Sequence, residues 1–323
     1  MSDAEPMNSP KGQTPLPPSD GRLARALFFL LTLSAALLLS TPTARAQQDD
    51  DDVVRVNSDL VVLNATVTDR AGAYVHKLRR QDFRVFEDGR EQQISLFSVE
   101  ETPFAAAILL DTSGSMETRM TLARAAAIRF LEGLREDDVA SVYHFDSEVE
   151  QLQDFSASRD LPPLAFGLKS KGMTELNDAV TRAAKDLSAR PEKRRAIIIL
   201  SDGMDTKSSA TADKALNAAL AANATIYTVD MSDPLDKASD RMLGASALKN
   251  FAAKSGGRYV SSPGGRALDD AFGQILEELS NQYTLGYRPT NGARDGRWRT
   301  IELKLSDAGL KARTRGGYRA PKS

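Results

Sequence analysis

Residues 104–111, Phe-Ala-Ala-Ala-Ile-Leu-Leu-Asp, form an apolar run that no polar residue interrupts before its end. A strand of this kind has both faces covered, as in parallel sheets wrapped by helices, whereas half-exposed strands alternate. Residues 196–200 repeat the pattern, and residues 225–229 supply a further strand. Helical periods lie between and beyond them. Leu122, Ala126 and Phe130 recur at helical spacing within 118–134, and 175–188, 210–221, 243–254 and 267–279 follow. Gly256-Gly257 is placed to stop the fourth of these helices. Only Asp146-Ser147-Glu148 joins the strands predicted at 139–145 and 149–155, too little for a crossover helix, so that pair must be antiparallel. The predicted architecture over 103–280 is therefore α/β, a doubly wound, mostly parallel, Rossmann-like sheet with one antiparallel pair.

The flanks read differently. Residues 53–67 mix β-branched and polar side chains in approximate alternation and close on Asp69-Arg70-Ala71-Gly72. Residues 83–89 alternate up to an Asp88-Gly89 turn, with 93–99 as the expected returning strand. After residue 280 come strand candidates at 283–287, 298–305 and 312–318. Neither set is large enough to hold a core alone. A small β-sandwich-like unit built jointly by both would bury what each leaves open, and it requires contact between 83–86 and 298–303. The layout expected is a leader and export segment over 1–46, an N-terminal β segment over 47–102, the α/β domain over 103–280 and a C-terminal β segment over 281–319.

The first 20 residues, rich in proline and polar residues, are expected to be disordered. Arg22 and Arg25 then precede the apolar stretch 26–40, the Pro42 break and the small-residue box Ala44-Arg45-Ala46. That order is an export signal with cleavage before Gln47, giving a periplasmic or secreted chain. An uncleaved anchor is the alternative, although the stretch falls short of the roughly 20 apolar residues that span a bilayer. The formal net charge of −2 gives no reason to expect nucleic acid or stable membrane insertion of the mature chain. With no cysteine, thiolate metal sites and disulfides are excluded. The two histidines, His76 and His144, read as a turn or strand-end residue and a packed or edge residue.

Three loops carry hard oxygen donors. Asp111, Ser113 and Ser115 follow the first buried strand, Thr174 lies where a long crossover returns, and Asp202 follows the strand at 196–200. Both aspartates emerge at the same edge of a parallel sheet, where open α/β sheets place their ligands. Hydroxyl and carboxylate donors without His or Cys suit Mg²⁺, with Mn²⁺ or Ca²⁺ as alternatives. Neutral hydroxyls would leave such an ion with uncompensated positive charge and an open position, so it should seek an external carboxylate. Read blandly, Asp111–Ser115 is a turn rich in cap-forming residues. Asp178 is either a support for Thr174 or Ser113 or a solvated helix residue, and Asp205 either binds water near the ion or caps the next helix. Lys169, Lys171 and Lys207 either ring the site or are scattered surface charges.

Asp-x-Ser-x-Ser at 111–115, Thr174 and Asp202 in Ser-Asp-Gly resemble the metal-ion-dependent adhesion site of the von Willebrand factor type A domain family. The resemblance covers roughly 103–280. It implies direct coordination by the serines, direct or water-mediated coordination by the threonine, and completion of the shell by a Glu or Asp of a partner protein. Val67-Thr68-Asp69, Asp82-Phe83 through Gly89, Tyr283–Tyr287 and Gly317-Tyr318 resemble an exported subgroup described mainly in acidobacteria, for which no biochemical function is implied. The expected function is divalent-metal-dependent protein binding or adhesion. A cell-envelope scaffold with a structural ion is the alternative. A metal hydrolase is the minor one, because no general base is evident and the Gly-x-Ser-x-Gly and phosphate-loop motifs are absent.

Overall fold

The computed structural model describes residues 60–99, 102–163, 165, 172–261 and 265–322. The expectations for the leader, the export segment and the acidic linker, and those for Lys169 and Lys171, lie outside these residues. In chain order, β1 (Val61–Thr68), β2 (Phe83–Glu87), β3 (Arg90–Gln92) and β4 (Ile94–Val99) precede β5 (Phe104–Asp111). Then come α1 (Met120–Glu132), the antiparallel pair β6 (Val139–Phe145) and β7 (Val149–Ser156), α2 (Leu176–Ser188) and β8 (Arg194–Ser201). The domain continues through α3 (Ala212–Ala221), β9 (Ala224–Asp230), α4 (Ala238–Ser255), β10 (Tyr259–Ser261) and α5 (Arg266–Ser280). The chain closes with β11 (Tyr283–Tyr287), β12 (Trp298–Leu305), β13 (Lys311–Arg313) and β14 (Gly317–Arg319).

The central sheet has the order β10-β9-β8-β5-β6-β7, parallel except for β7. Every residue of β5 is buried. Phe104, Ala106, Ile108 and Leu110 pack with α1 and α5, including Phe130 and Phe272, whereas Ala105, Ala107 and Leu109 pack with α2, α3 and α4. These two separate clusters are the physical reason that the strand carries no alternation.

The flanking segments form two antiparallel sheets, each mixing strands from both ends: β13-β1-β11-β4 and β14-β12-β2-β3. Their inner faces share one core of Val61, Leu63, Phe83, Val85, Tyr283, Leu285 and Ile301. The contact required between the segments is a ladder, with Leu303 opposite Val85 and Ile301 opposite Glu87.

Three boundaries differ from expectation. The strand that returns from the Asp88-Gly89 turn is β3, and β4 belongs to the other sheet. The stretch 312–318 is two short strands on different sheets, because Arg315 between them turns inward. Its guanidinium donates to the carbonyls of Leu220 (2.9 Å) and Val62 (2.8 Å), and burial pulls its pKa down to about 10. Helix α4 begins at Ala238, where its exposed first turn has no apolar stripe to announce it.

Two contacts fix the elements nearest the sheet's edges. Gly244 of α4 lies against Gly203, and a Cβ on either would overlap backbone of the other segment, at Asp202 or at Gly244 itself. Gly203 also has a φ of +82°, which glycine adopts without cost. At the other end of α5, the fully buried Glu278 accepts from Tyr227 (2.9 Å) and Thr66 (3.2 Å) and pairs with Arg313 (2.5 Å) and Arg258 (3.3 Å). Among the described residues no helix is long and apolar enough to cross a membrane.

Glu278→Ala removes the shared acceptor of Tyr227, Thr66 and two part-exposed guanidiniums, of which Arg258 keeps Gln274 and Arg313 keeps the Gly256 carbonyl, and should lower unfolding stability by about 1–3 kcal/mol. Urea denaturation followed by circular dichroism measures this, and an unchanged midpoint would refute the role given to the carboxylate. Gly244→Ala should cost about 1–3 kcal/mol by overpacking against the Asp202 loop, read as a lower midpoint in thermal melting.

Candidate functional site

The candidate site forms where β5 and β8 run side by side, with Leu110 opposite Leu200. Their chains then leave toward opposite faces, β5 toward α1 and β8 toward α3. This divergence opens a crevice at the topological switch point of the sheet.

Asp111, the last residue of β5, is completely buried. Its Oδ1 accepts the Ser113 backbone N–H at 2.9 Å, and its Oδ2 accepts the Ser201 hydroxyl at 2.5 Å. The Ser201 oxygen in turn accepts the Gly203 N–H at 2.9 Å. One hydroxyl thus holds the aspartate of the first loop to the backbone beside Asp202. Burial, followed by the charge of Asp202, pushes the Asp111 carboxyl up to about 7, and the hydrogen bonds from Ser113 and Ser201 oppose that rise.

The remaining predicted residues meet in one cavity. Ser113, Ser115, Thr174 and Asp202 all line a volume of about 480 Å³. The hydroxyls of Ser113 and Ser115 are 3.2 Å apart, and Asp202 Oδ1 accepts the Met204 N–H at 3.0 Å. Thr174 is held by its backbone. Its N–H donates to the Thr206 hydroxyl at 2.9 Å, and its carbonyl accepts the N–H groups of Thr206 (3.0 Å) and Lys207 (3.1 Å). The Thr174 side chain is therefore positioned without spending its own hydroxyl on the fold.

Several neighbouring residues have roles that the chain order did not disclose. Ser201 and Thr206 act across strands and loops. The only local signal was their adjacency to Asp202 and Asp205. Asp178 accepts the N–H groups of Ser209 (2.7 Å) and Ala210 (2.9 Å), supporting neither Thr174 nor Ser113. Asp205 accepts the Asn177 N–H (2.8 Å) and the Ser208 hydroxyl (2.6 Å), and the cap of α3 is Thr211. Lys207 reaches the Ser147 carbonyl and Glu175. His144 is buried behind the first loop, with Nδ1 3.3 Å from the Thr112 hydroxyl and Nε2 3.0 Å from Glu150 Oε2. It does not line the cavity. His76 is exposed.

The donor set is chemically matched to a hard divalent cation. Every candidate ligand is an oxygen, three are neutral hydroxyls, and the two carboxylates repel each other through a buried site. A cation between them would relieve that repulsion.

No curated protein matches the chain significantly in sequence. Among solved structures, similarity extends to a von Willebrand factor type A protein from Catenulispora acidiphila, at 15% identity, over 74% of this chain and 72% of that one, with a TM-score of 0.47. The von Willebrand factor domain of the type V pili tip protein Mfa5 from Porphyromonas gingivalis is similar at 15% identity, over 55% of this chain and 94% of that one, with a TM-score of 0.46. For the PilB minor pilin from Streptococcus sanguinis the values are 13% identity, 55% of this chain and a TM-score of 0.44, and the match spans 61% of that protein. The family comparison is direct: residues 106–204, from within β5 to just past Asp202, match the von Willebrand factor type A domain. The segment that carries Asp111, Ser113, Ser115, Thr174 and Asp202 is thus similar in sequence to the von Willebrand factor type A domain.

Proposed function

We propose that this protein is an exported, metal-dependent protein-binding module that recognises an acidic group on its partner. Asp111, Ser113, Ser115, Thr174 and Asp202 are the residues proposed to hold the cation. Mg²⁺ suits their oxygen chemistry best, and Mn²⁺ or Ca²⁺ are the alternatives. The observation that carries the reading is the convergence of Ser113, Ser115, Thr174 and Asp202, from three separate loops, on one cavity next to the buried Asp111. When bound, the cation would supply a positive centre with an open position for a partner's carboxylate oxygen.

The chain's own groups favour binding over catalysis. A hydrolase of this type needs a general base near an activated water. Among the described residues that line the cavity, Asp202, Asp236 and Asp240 are acidic, and the wall offers no imidazole. Asp111 is enclosed, takes one hydrogen bond on each oxygen from Ser113 and Ser201, and does not line the cavity in which an activated water would stand. Ser201 is assigned the role of orienting Asp111, and Thr206 that of orienting Thr174.

Calorimetric titration with Mg²⁺ tests the site. Asp111→Ala should abolish the binding heat and Thr174→Ala should weaken it, with the far-ultraviolet circular dichroism of both variants unchanged. Undiminished affinity in Asp111→Ala would sink the assignment. Pull-down from envelope extract in Mg²⁺ and in chelator tests the function. A partner retained only with metal is the expected result, whereas global unfolding on chelation would point to a structural ion in an envelope scaffold.

A further inference from the structure

The chain contains eight methionines, and two of them, Met1 and Met7, precede the described residues. All of the other six stand on the loops or helix starts at one edge of the central sheet. Met116 follows Ser115 in the turn after β5, and Met120 opens α1. Met173 precedes Thr174, and Met204 donates its N–H to Asp202. Met231 follows β9 and donates its N–H to the Ser201 carbonyl at 2.9 Å, and Met242 lies in α4. Among the described residues, no methionine serves the β-sandwich or the helix faces far from this edge.

The six divide into two layers. Met116, Met120 and Met231 are buried beneath the loops. Met173 and Met204 line the cavity that holds the candidate ligands, and Met173 is 53% exposed. Met242, 74% exposed, lines a neighbouring cavity of about 750 Å³ with Pro234, Ala238 and Ala245. The two cavities share Ser232 and Arg241, so they form one groove leading away from the oxygen donors. Leu235 and Leu243 are also exposed on the same segment. Five large apolar side chains are exposed among the described residues, and four of them belong to this edge, with Trp298 as the exception.

We infer that the groove receives a linear segment of a partner protein in which the acidic residue is flanked by large apolar or aromatic side chains. The inference rests on the metal-dependent reading above and specifies the partner's chemistry. The proposed cation selects the acidic residue, since Lys237 and Arg241 in the same wall stand beside Asp236 and Asp240 and are offset by them. The methionines select its neighbours. A thioether side chain with three rotatable bonds adapts to apolar and aromatic shapes and makes favourable contacts at ring edges. Exposing such side chains around a polar site gives no benefit to the fold, since their apolar area stays in water.

The test uses the full chain and two synthetic fluorescent peptides, in Mg²⁺ and in chelator, read by anisotropy. One peptide carries glutamate between Phe and Leu, and the other carries it between two serines. The first should bind more tightly by about twofold to tenfold for each methionine contact made, and only in Mg²⁺. Met173→Gln and Met242→Gln should erase the difference between peptides, and Met173→Leu and Met242→Leu should keep it. Equal, metal-dependent affinity for both peptides overturns the apolar groove and leaves the metal-dependent reading standing. Binding that ignores chelator, or no binding of either peptide, overturns that reading and the groove with it.

Discussion

The structure depends on the enclosure of β5 from both sides. Once Phe104–Leu110 is committed to two opposing clusters, the strand can present chemistry only where it ends. Asp111 is the first polar residue the strand offers, and it remains completely buried. A carboxylate in that position is costly unless hydrogen bonds or positive charge meet it. Ser113 and Ser201 supply the hydrogen bonds, and the neighbouring charge of Asp202 works against them. The site's electrostatic tension therefore follows from packing, before any ligand is considered.

The outer β unit follows from a related constraint at the chain's two flanks. Four strands before the α/β domain and four after it are each too few to close a core, so they interleave, and β11 lies between β1 and β4. The α/β domain is thereby an insertion between two halves of a sandwich. The joint between them is polar: Glu278 at the end of α5 gathers Thr66 of β1, Tyr227 of β9, Arg258 and Arg313. Arg315 adds a second tie from the last strands to α3 and β1. Buried charge of this kind fixes one arrangement, because a shifted helix would strand several unpaired groups together.

Much of this was legible in the chain because burial on both faces writes an uninterrupted apolar run, as in β5 and β8, and half-burial writes alternation, as in β2. The antiparallel β6–β7 pair was legible from the length of its connection alone. What stayed hidden depends on contacts distant in sequence. Nothing near Gln93 says that the chain changes sheets there. Arg315 breaks the last stretch only because two carbonyls, more than ninety residues away, receive it. The first turn of α4 buries no stripe, so periodicity could not find it. In the site, the local spacing of Asp111, Ser113 and Ser115 is readable as donor chemistry. Ser201 and Thr206 acquire their roles through strand register and loop docking, and the methionine collar emerges only when six separated positions are seen to share one edge.

The glycine contact between α4 and the loop after β8 carries a mechanical consequence. At Gly203 and Gly244 two backbones touch with no side chain between them to rotate or compress. A helix seated in this way cannot tilt without displacing the Asp202 carbonyl. Arg241 and Met242 ride on the same helix, within one turn of Gly244. A shift of this helix would therefore move the groove wall and the loop carrying Asp202 together. The position of the groove wall and that of the loop carrying Asp202 are geometrically interdependent.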